Sequence, residues 1–327
     1  MNWNTKVTEL LGCKYPIIEG AFGGFGTSAL AAPVSNAGGF GMITASALKT
    51  PERLKEDIRK AKSMTAKPFG VNLSVGASAS INEMLEVALA EDIPVIFTAV
   101  YRADDIGKKV HEAGKVWIHK VATVRHAIAA ERHGADAIVI VGMEGTGFKS
   151  VEQLPTLISI TNAIKLIKVP LIAAGGIGDA RGMLGAMGMG AEAIYMGTRF
   201  MATDECPISP RYKQKLVESQ PWDPKVRDRI LNVTRNEQYE EILKMKGKIP
   251  QDEWLKMVEK HSFKRSSELN IDWQKDYDEE VATHVTGGSL AVGVIDSVVS
   301  CKELINTIIR EAEAILAKEG NIGKLVL

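Results

Sequence analysis

The sequence predicts a (β/α)8 barrel with a helical insertion before its last helix. Two observations carry this. Eight short apolar runs rich in valine and isoleucine follow one another through roughly the first 200 residues, and stretches of helical period lie between them. Runs that stay apolar without alternation belong to parallel strands buried on both faces. Eight strand-helix units in that length suit a closed barrel, whereas a doubly wound open sheet would usually have fewer strands.

The strands are expected at 16–19, 41–45, 69–74, 95–100, 116–121, 137–141, 170–174 and 193–197. The first expected helix, 51–63, opens with Thr50 as N-cap and Pro51 at the first helical position. Further helices are expected at 81–90, 104–113, 123–133, 153–164 and 179–187. The rhythm stops after Phe200. Residues 201–282 are charged, carry Trp222, Trp254 and Trp273, and read as helices without strands. Periodicity returns with GGSLAVGVIDSVVSCKEL from 287, expected to form one or two long helices. The organisation is therefore a barrel over 1–200 and 286–327, interrupted by a helical insertion over 201–285. That insertion is a packing cap or a substrate lid.

Composition narrows the function class. The 327 residues hold 40 basic and 40 acidic side chains, so no charge excess points to nucleic acid or an anionic membrane. No uncharged apolar stretch reaches the ~20 residues of a membrane helix, and the N-terminus lacks a signal-peptide pattern. Cys13, Cys206 and Cys301 are too few and scattered for a disulfide framework or a closed zinc site. A reduced, cytoplasmic setting is expected.

Barrel chemistry sits at the C-terminal ends of the strands. There the sequence offers LIAAGGIGDARG (171–182) and AIYMGTRF (193–200). Gly175, Gly176 and Gly178 lack a Cβ, so their amides can approach a phosphate, and the helix that follows adds a positive dipole end. Gly197 and Thr198 form a second loop with a hydroxyl. Either loop alone is equally a tight turn, but at consecutive strand ends the pair favours phosphate. The glycine patterns at 20–26 (GAFGGFG) and 142–147 (GMEGTG) lack the acidic residue a dinucleotide fold needs at the next strand. They fit clearance for a flat ring instead.

Taken together, PIIEGAFGG, SNAGGFGMI, PFGVNL, the GGIGD and MGTRF pair, and the returning GGSLAVG resemble the nitronate monooxygenase family. That family was formerly called 2-nitropropane dioxygenase and includes FMN-dependent enoyl-ACP reductases. The resemblance spans the whole barrel. It implies FMN in the barrel mouth, with its phosphate on Gly176, Gly197 and Thr198, and Ala174 and Gly175 among the cofactor-binding residues. Gly20, Ala21 and Phe22 would border the flavin ring, and Asn72 would hydrogen-bond it. Lys120 matches the family's basic position beside the flavin, where a cation would stabilise the charge that reduction adds to the ring. Strand alternation turns the neighbouring His119 outward, as a structural histidine.

One segment departs from the family. Where relatives carry a glycine pair and then a catalytic histidine, this chain reads GMEGTGFKS, which puts Phe148 at the histidine position. Phenylalanine cannot transfer a proton, so a neutral nitroalkane meets no evident base. Glu144, Lys149, Tyr195 and His284 are the remaining proton-transfer candidates, and Phe148 could wall a planar substrate.

Three readings follow. The first is an FMN oxidoreductase that oxidises a nitronate or related small molecule. The second is a reductase passing hydride from NADH or NADPH through FMN to an enoyl thioester or quinone. The third is a flavin-binding protein without catalysis. The sequence leaves a homodimer open.

Overall fold

The structure is a computed structural model. It describes residues 1–22, 24–76, 80–147, 150, 152–224, 226, 241–242, 244–245, 247–250, 253–254, 257 and 288–318. Eight parallel strands form a TIM barrel: β1 (Ile17–Glu19), β2 (Gly41–Thr44), β3 (Phe69–Ser74), β4 (Val95–Ala99), β5 (Val116–Val121), β6 (Ala137–Val141), β7 (Leu171–Ala174) and β8 (Ala193–Met196). Continuous ladders run from β2 through β8 to β1. The seam between β1 and β2 is closed by the bridge Ile18–Phe40. Above it, the Met42 amide donates to Glu19 Oε2 at 3.0 Å, so a side chain extends the rung.

Alternation splits the apolar residues into two cores. Ile18, Met42, Phe97, Ile118, Val139 and Ile172 fill the barrel. Trp117, Ile138, Ile160, Met183 and Ile305 pack between strands and helices. The helices are α1 (Lys6–Leu11), α2 (Ser28–Asn36), α3 (Ala45–Leu48), α4 (Pro51–Met64), α5 (Ile81–Ala90), α6 (Asp104–Glu112), α7 (Val124–Arg132), α8 (Thr156–Leu166), α9 (Ala180–Gly188), α10 (Thr198–Met201), α11 (Pro210–Glu218) and α12 (Cys301–Lys318). Thr50 caps α4 through the Arg53 amide, as its sequence required.

Several elements differ from expectation, and the short helices α1 and α3 were not among those expected. Helix α2 was not anticipated: its SALAAPVSN sequence is small, weakly amphipathic and holds Pro33. Packing against β2 and α4 outweighs that weak local signal. Helix α8 starts at Thr156, later than 153, because Pro155 stands at its N-cap. The segment from 287 begins with a short 3-10 turn, Leu290–Val294, and becomes α-helical only at Cys301. There the Ser300 hydroxyl accepts the Glu303 amide, a cap in mid-segment that periodicity alone hid. Most of the 201–285 span lies outside the described residues; 201–224, which includes α11, and a few positions between 226 and 257 are its described part.

His119 faces outward, as alternation required, and is 7% exposed. Trp117 Nε1 donates to Thr98 Oγ1 at 2.7 Å, and the Thr98 hydroxyl lies 2.7 Å from His119 Nδ1. The threonine hydroxyl thus links the indole to the imidazole in one buried chain. Burial pulls the His119 pKa down from 6.5 to about 4. The unfolded chain therefore takes up a proton that the folded one refuses as pH falls from 6.5 to about 4. Stability is expected to drop across that window, by ~3 kcal/mol at most. In urea titrations at pH 7 and pH 4.5, His119→Gln should flatten the drop; an unchanged pH slope would contradict this account.

Candidate active site at the barrel mouth

The loop after β1 is held from two sides. Tyr195 Oη, from β8, accepts the Ala21 amide at 2.7 Å. Thr44 Oγ1, at the end of β2, accepts the Phe22 amide at 3.0 Å. Gly20 touches the neighbouring strand end: a Cβ there would lie 2.9 Å from Gly197 Cα. The loops after β1 and β8 thus meet backbone to backbone, which only glycine permits. Phe22 and Phe25 stack at 4.7 Å between ring centroids and are nearly buried, so they screen this side from water.

After β7, Gly175 and Gly176 adopt left-handed φ values of 106° and 72°. Neither the Gly176 nor the Gly197 amide has a hydrogen-bond acceptor among the described residues. The space a Cβ would fill at Gly197 meets only Phe22 Cε1, at 3.8 Å. These open amides suit a phosphate. The dipole end of α9 contributes less than the sequence suggested, because Asp179 Oδ1 already accepts the Gly182 amide at 2.7 Å. Thr198 Oγ1 accepts the Ser289 amide at 2.8 Å, which seats the returning segment on the second loop. Arg199 is buried beside Gly178, its Nη1 donating to the carbonyls of Ala202 and Ser297.

Two inward-facing donors have no acceptor among the described residues. Asn72 is fully buried; its Oδ1 accepts from the Ser74 hydroxyl at 3.1 Å, and its Nδ2 has no partner. Lys120 ends β5 on the inward register, with Nζ 5.9 Å from the Tyr195 ring centroid and no ion pair among the described residues. Burial lowers its pKa from 10.5 to about 8, so it is still a cation at neutral pH. Tyr195 is pushed the other way by burial and stays a neutral phenol. An unpaired buried donor is costly. The pair calls for a bound group rich in acceptors, and a flavin's pyrimidine edge is one.

The structure places Gly20, Ala21, Phe22, Asn72, Lys120, Ala174, Gly175, Gly176, Gly197 and Thr198 around the C-terminal ends of β1, β3, β5, β7 and β8. Glu144 lies against the loop after β7, its Cβ 3.1 Å from where a Cβ at Gly176 would sit. Its carboxylate accepts from the Thr156 amide at 2.8 Å and the Thr156 hydroxyl at 2.7 Å, which caps α8. Phe148, Lys149 and His284 lie outside the described residues. Sequence reading missed Thr44, Ser74 and Glu19. Carrying inward alternation to the strand tips would have found the first two. Glu19 is a fully buried carboxyl whose Oε1 has no partner among the described residues, and burial pushes its pKa well above the usual carboxylate value. Among the described residues no cluster of metal-ligating side chains occurs, and no helix is long and apolar enough to cross a membrane.

Residues 4–91 and 78–311 match the sequence model of the family described as nitronate monooxygenase. A Mycobacterium tuberculosis protein named (3aS,4S,5R,7aS)-5-hydroxy-7a-methyl-1-oxo-octahydro-1H-indene-4-carboxyl-CoA dehydrogenase is 28% identical, with 95% of this chain and 97% of that protein aligned. A Staphylococcus aureus protein named probable nitronate monooxygenase is 29% identical over 76% of this chain and 83% of its own. The structure of FabK from Thermotoga maritima superposes with a TM-score of 0.75 at 30% identity, covering 96% of this chain and 98% of that one.

Proposed function

Because the chain belongs to the nitronate monooxygenase family, whose members are flavin-dependent in general, we propose that it is an FMN-dependent oxidoreductase acting on a small acyl thioester. The observation that carries the cofactor is the donor pair, Asn72 Nδ2 and Lys120 Nζ, without acceptors among the described residues, at the same barrel end as two loops with open amides. FMN, when bound, supplies the centre that gives or takes hydride. The residues of the chain do the rest. The amides of Gly176 and Gly197 and the Thr198 turn hold the phosphate, and the 20–22 loop borders the ring. Asn72 donates to an acceptor on the ring edge. Lys120 sets a positive charge where reduction adds a negative one. The Phe22 and Phe25 stack keeps water out, which strengthens both interactions.

The substrate class rests on coverage. The relatives named for a carboxyl-CoA substrate, and FabK, an enoyl-ACP reductase, align over nearly the whole chain, insertion included, whereas the nitronate monooxygenases align over about three quarters. That reverses the order of the first two readings above. NADH or NADPH is then the reductant or product. The nitronate reading stays second, supported by the family itself. Phe148 bears on it: with no histidine there and Lys120 already protonated at neutral pH, neutral nitroalkanes meet no evident base among the described residues. Turnover of ethyl nitronate, nitroethane and crotonyl-CoA with NADPH or NADH is the test. Thioester turnover with nitroethane inert is expected. Rapid nitronate oxidation with no thioester turnover would restore the nitronate reading, and equal rates on nitroethane and its nitronate would mean another residue supplies the base.

A homodimer has a candidate face. Helices α4 and α6 are laced with charge, whereas α8 carries Lys165 alone and exposes Leu157, Ile158 and Ile164. Thr161 Oγ1 and Asn162 Nδ2 donate back to the carbonyls of Leu157 and Ile158, so the polar side chains there are self-satisfied. Beside this ridge an open groove of about 330 Å³ runs along Gly182 and Gly185 of α9 and its C-cap Met189, and continues to Glu144 and the Gly175–Gly176 loop. Ridge and groove side by side are self-complementary under a two-fold axis. By sedimentation velocity, Leu157→Glu should convert dimers to monomers; an unchanged dimer would exclude this face.

A further inference from the structure

Tyr195 touches both halves of the mouth. Its hydroxyl oxygen accepts the Ala21 amide at 2.7 Å, on the loop after β1. Its ring faces the Lys120 ammonium at 5.9 Å, from β5 on the far side of the barrel, and leans on Phe97 at 6.4 Å. It is 6% exposed, so neither contact is a surface accident. We propose that Tyr195 is a positioning residue: one rigid side chain fixes the 20–22 loop through its oxygen and shields the Lys120 amine from water with its ring. The phenol's own proton has no acceptor among the described residues and is available to a bound molecule. Since the phenol stays neutral, this donor persists across the working pH range.

The two contacts separate by mutation. Tyr195→Phe keeps the ring and removes the oxygen. Tyr195→Leu removes both, and water can then enter around Lys120. A cation–π contact at 5.9 Å lies near the outer limit of such interactions, about 6 Å, so its loss matters less than the hydration gained. Both readouts are taken on flavin-free protein, so the proposal, although it rests on the site reading, fails or stands apart from the FMN assignment. They are the Lys120 ionisation, from the pH dependence of amine labelling read by mass spectrometry, and hydrogen exchange at the Ala21 amide. Tyr195→Phe should leave the Lys120 midpoint at about 8 and speed Ala21 exchange several-fold, up to about tenfold. Tyr195→Leu should do that and also move the Lys120 midpoint upward, toward 10.5. An unchanged Ala21 exchange rate in Tyr195→Phe, or a Lys120 midpoint shifted by the phenylalanine, would overturn the proposal. Should the leucine variant not fold, the phenylalanine variant alone still decides it.

Discussion

Lys120→Met is expected to slow flavin reduction about 10²–10³-fold, the usual cost of removing a preorganised charge from a developing one. The same change should lower the two-electron midpoint potential by roughly 30–60 mV, since ~29.6 mV corresponds to a tenfold change in equilibrium constant. The pH dependence gives the sharper signature. Lys120 is charged below its pKa of about 8 and neutral above it. Its help to the reduced state is therefore present below pH 8 and lost above, as an inflection that the variant should lack. The flavin-free protein behaves in the opposite sense. A lysine depressed below its unfolded 10.5 is a burden to the fold at neutral pH that eases as pH rises through 8. Lys120→Met should thus melt higher than wild type when no flavin is bound. A variant with wild-type potential, reduction rate and pH profile would reduce Lys120 to a strand-end charge.

Gly176→Asp is expected to expel the cofactor. A Cβ at this position would sit 3.1 Å from Glu144 Cβ, so the new carboxylate joins an existing one beside the open amides. Like charge against a phosphate at such range weakens binding roughly ten- to a thousandfold. The left-handed φ of 72° adds strain whatever the side chain, so Gly176→Asn is the control. Asparagine tolerates that conformation and carries no charge. FMN occupancy after dialysis should fall to near zero for the aspartate variant and stay substantial for asparagine. Equal retention in both would remove this loop from the phosphate site.

Much of the barrel was legible because buried parallel strands advertise themselves as uninterrupted apolar runs. All eight appear within a residue of where the runs lie. Helix α2 was not legible, since its alanines and internal proline carry no period; only its seat against β2 and α4 makes it a helix. The glycine loops could be read from residue type because left-handed backbone and close approach both select glycine. Lys120 and Asn72 came from resemblance. That they lack protein acceptors is a three-dimensional fact no spacing reports. Tyr195 was visible only as a proton-transfer candidate. Its bond to Ala21 joins residues far apart in sequence, 174 positions. The capping role of Glu144 is hidden in the same way, since Thr156 lies twelve residues on in another element.

The central claim is that this mouth is an FMN site held by its phosphate end. Flavin-free protein titrated with FMN, riboflavin and FAD, followed by quenching of flavin fluorescence, tests it most directly. Two or so charge-assisted hydrogen bonds to the phosphate should make FMN bind about 10²–10⁴-fold tighter than riboflavin, at one per chain, with FAD well behind. Riboflavin binding as tightly as FMN, or no flavin binding at all, would contradict the account.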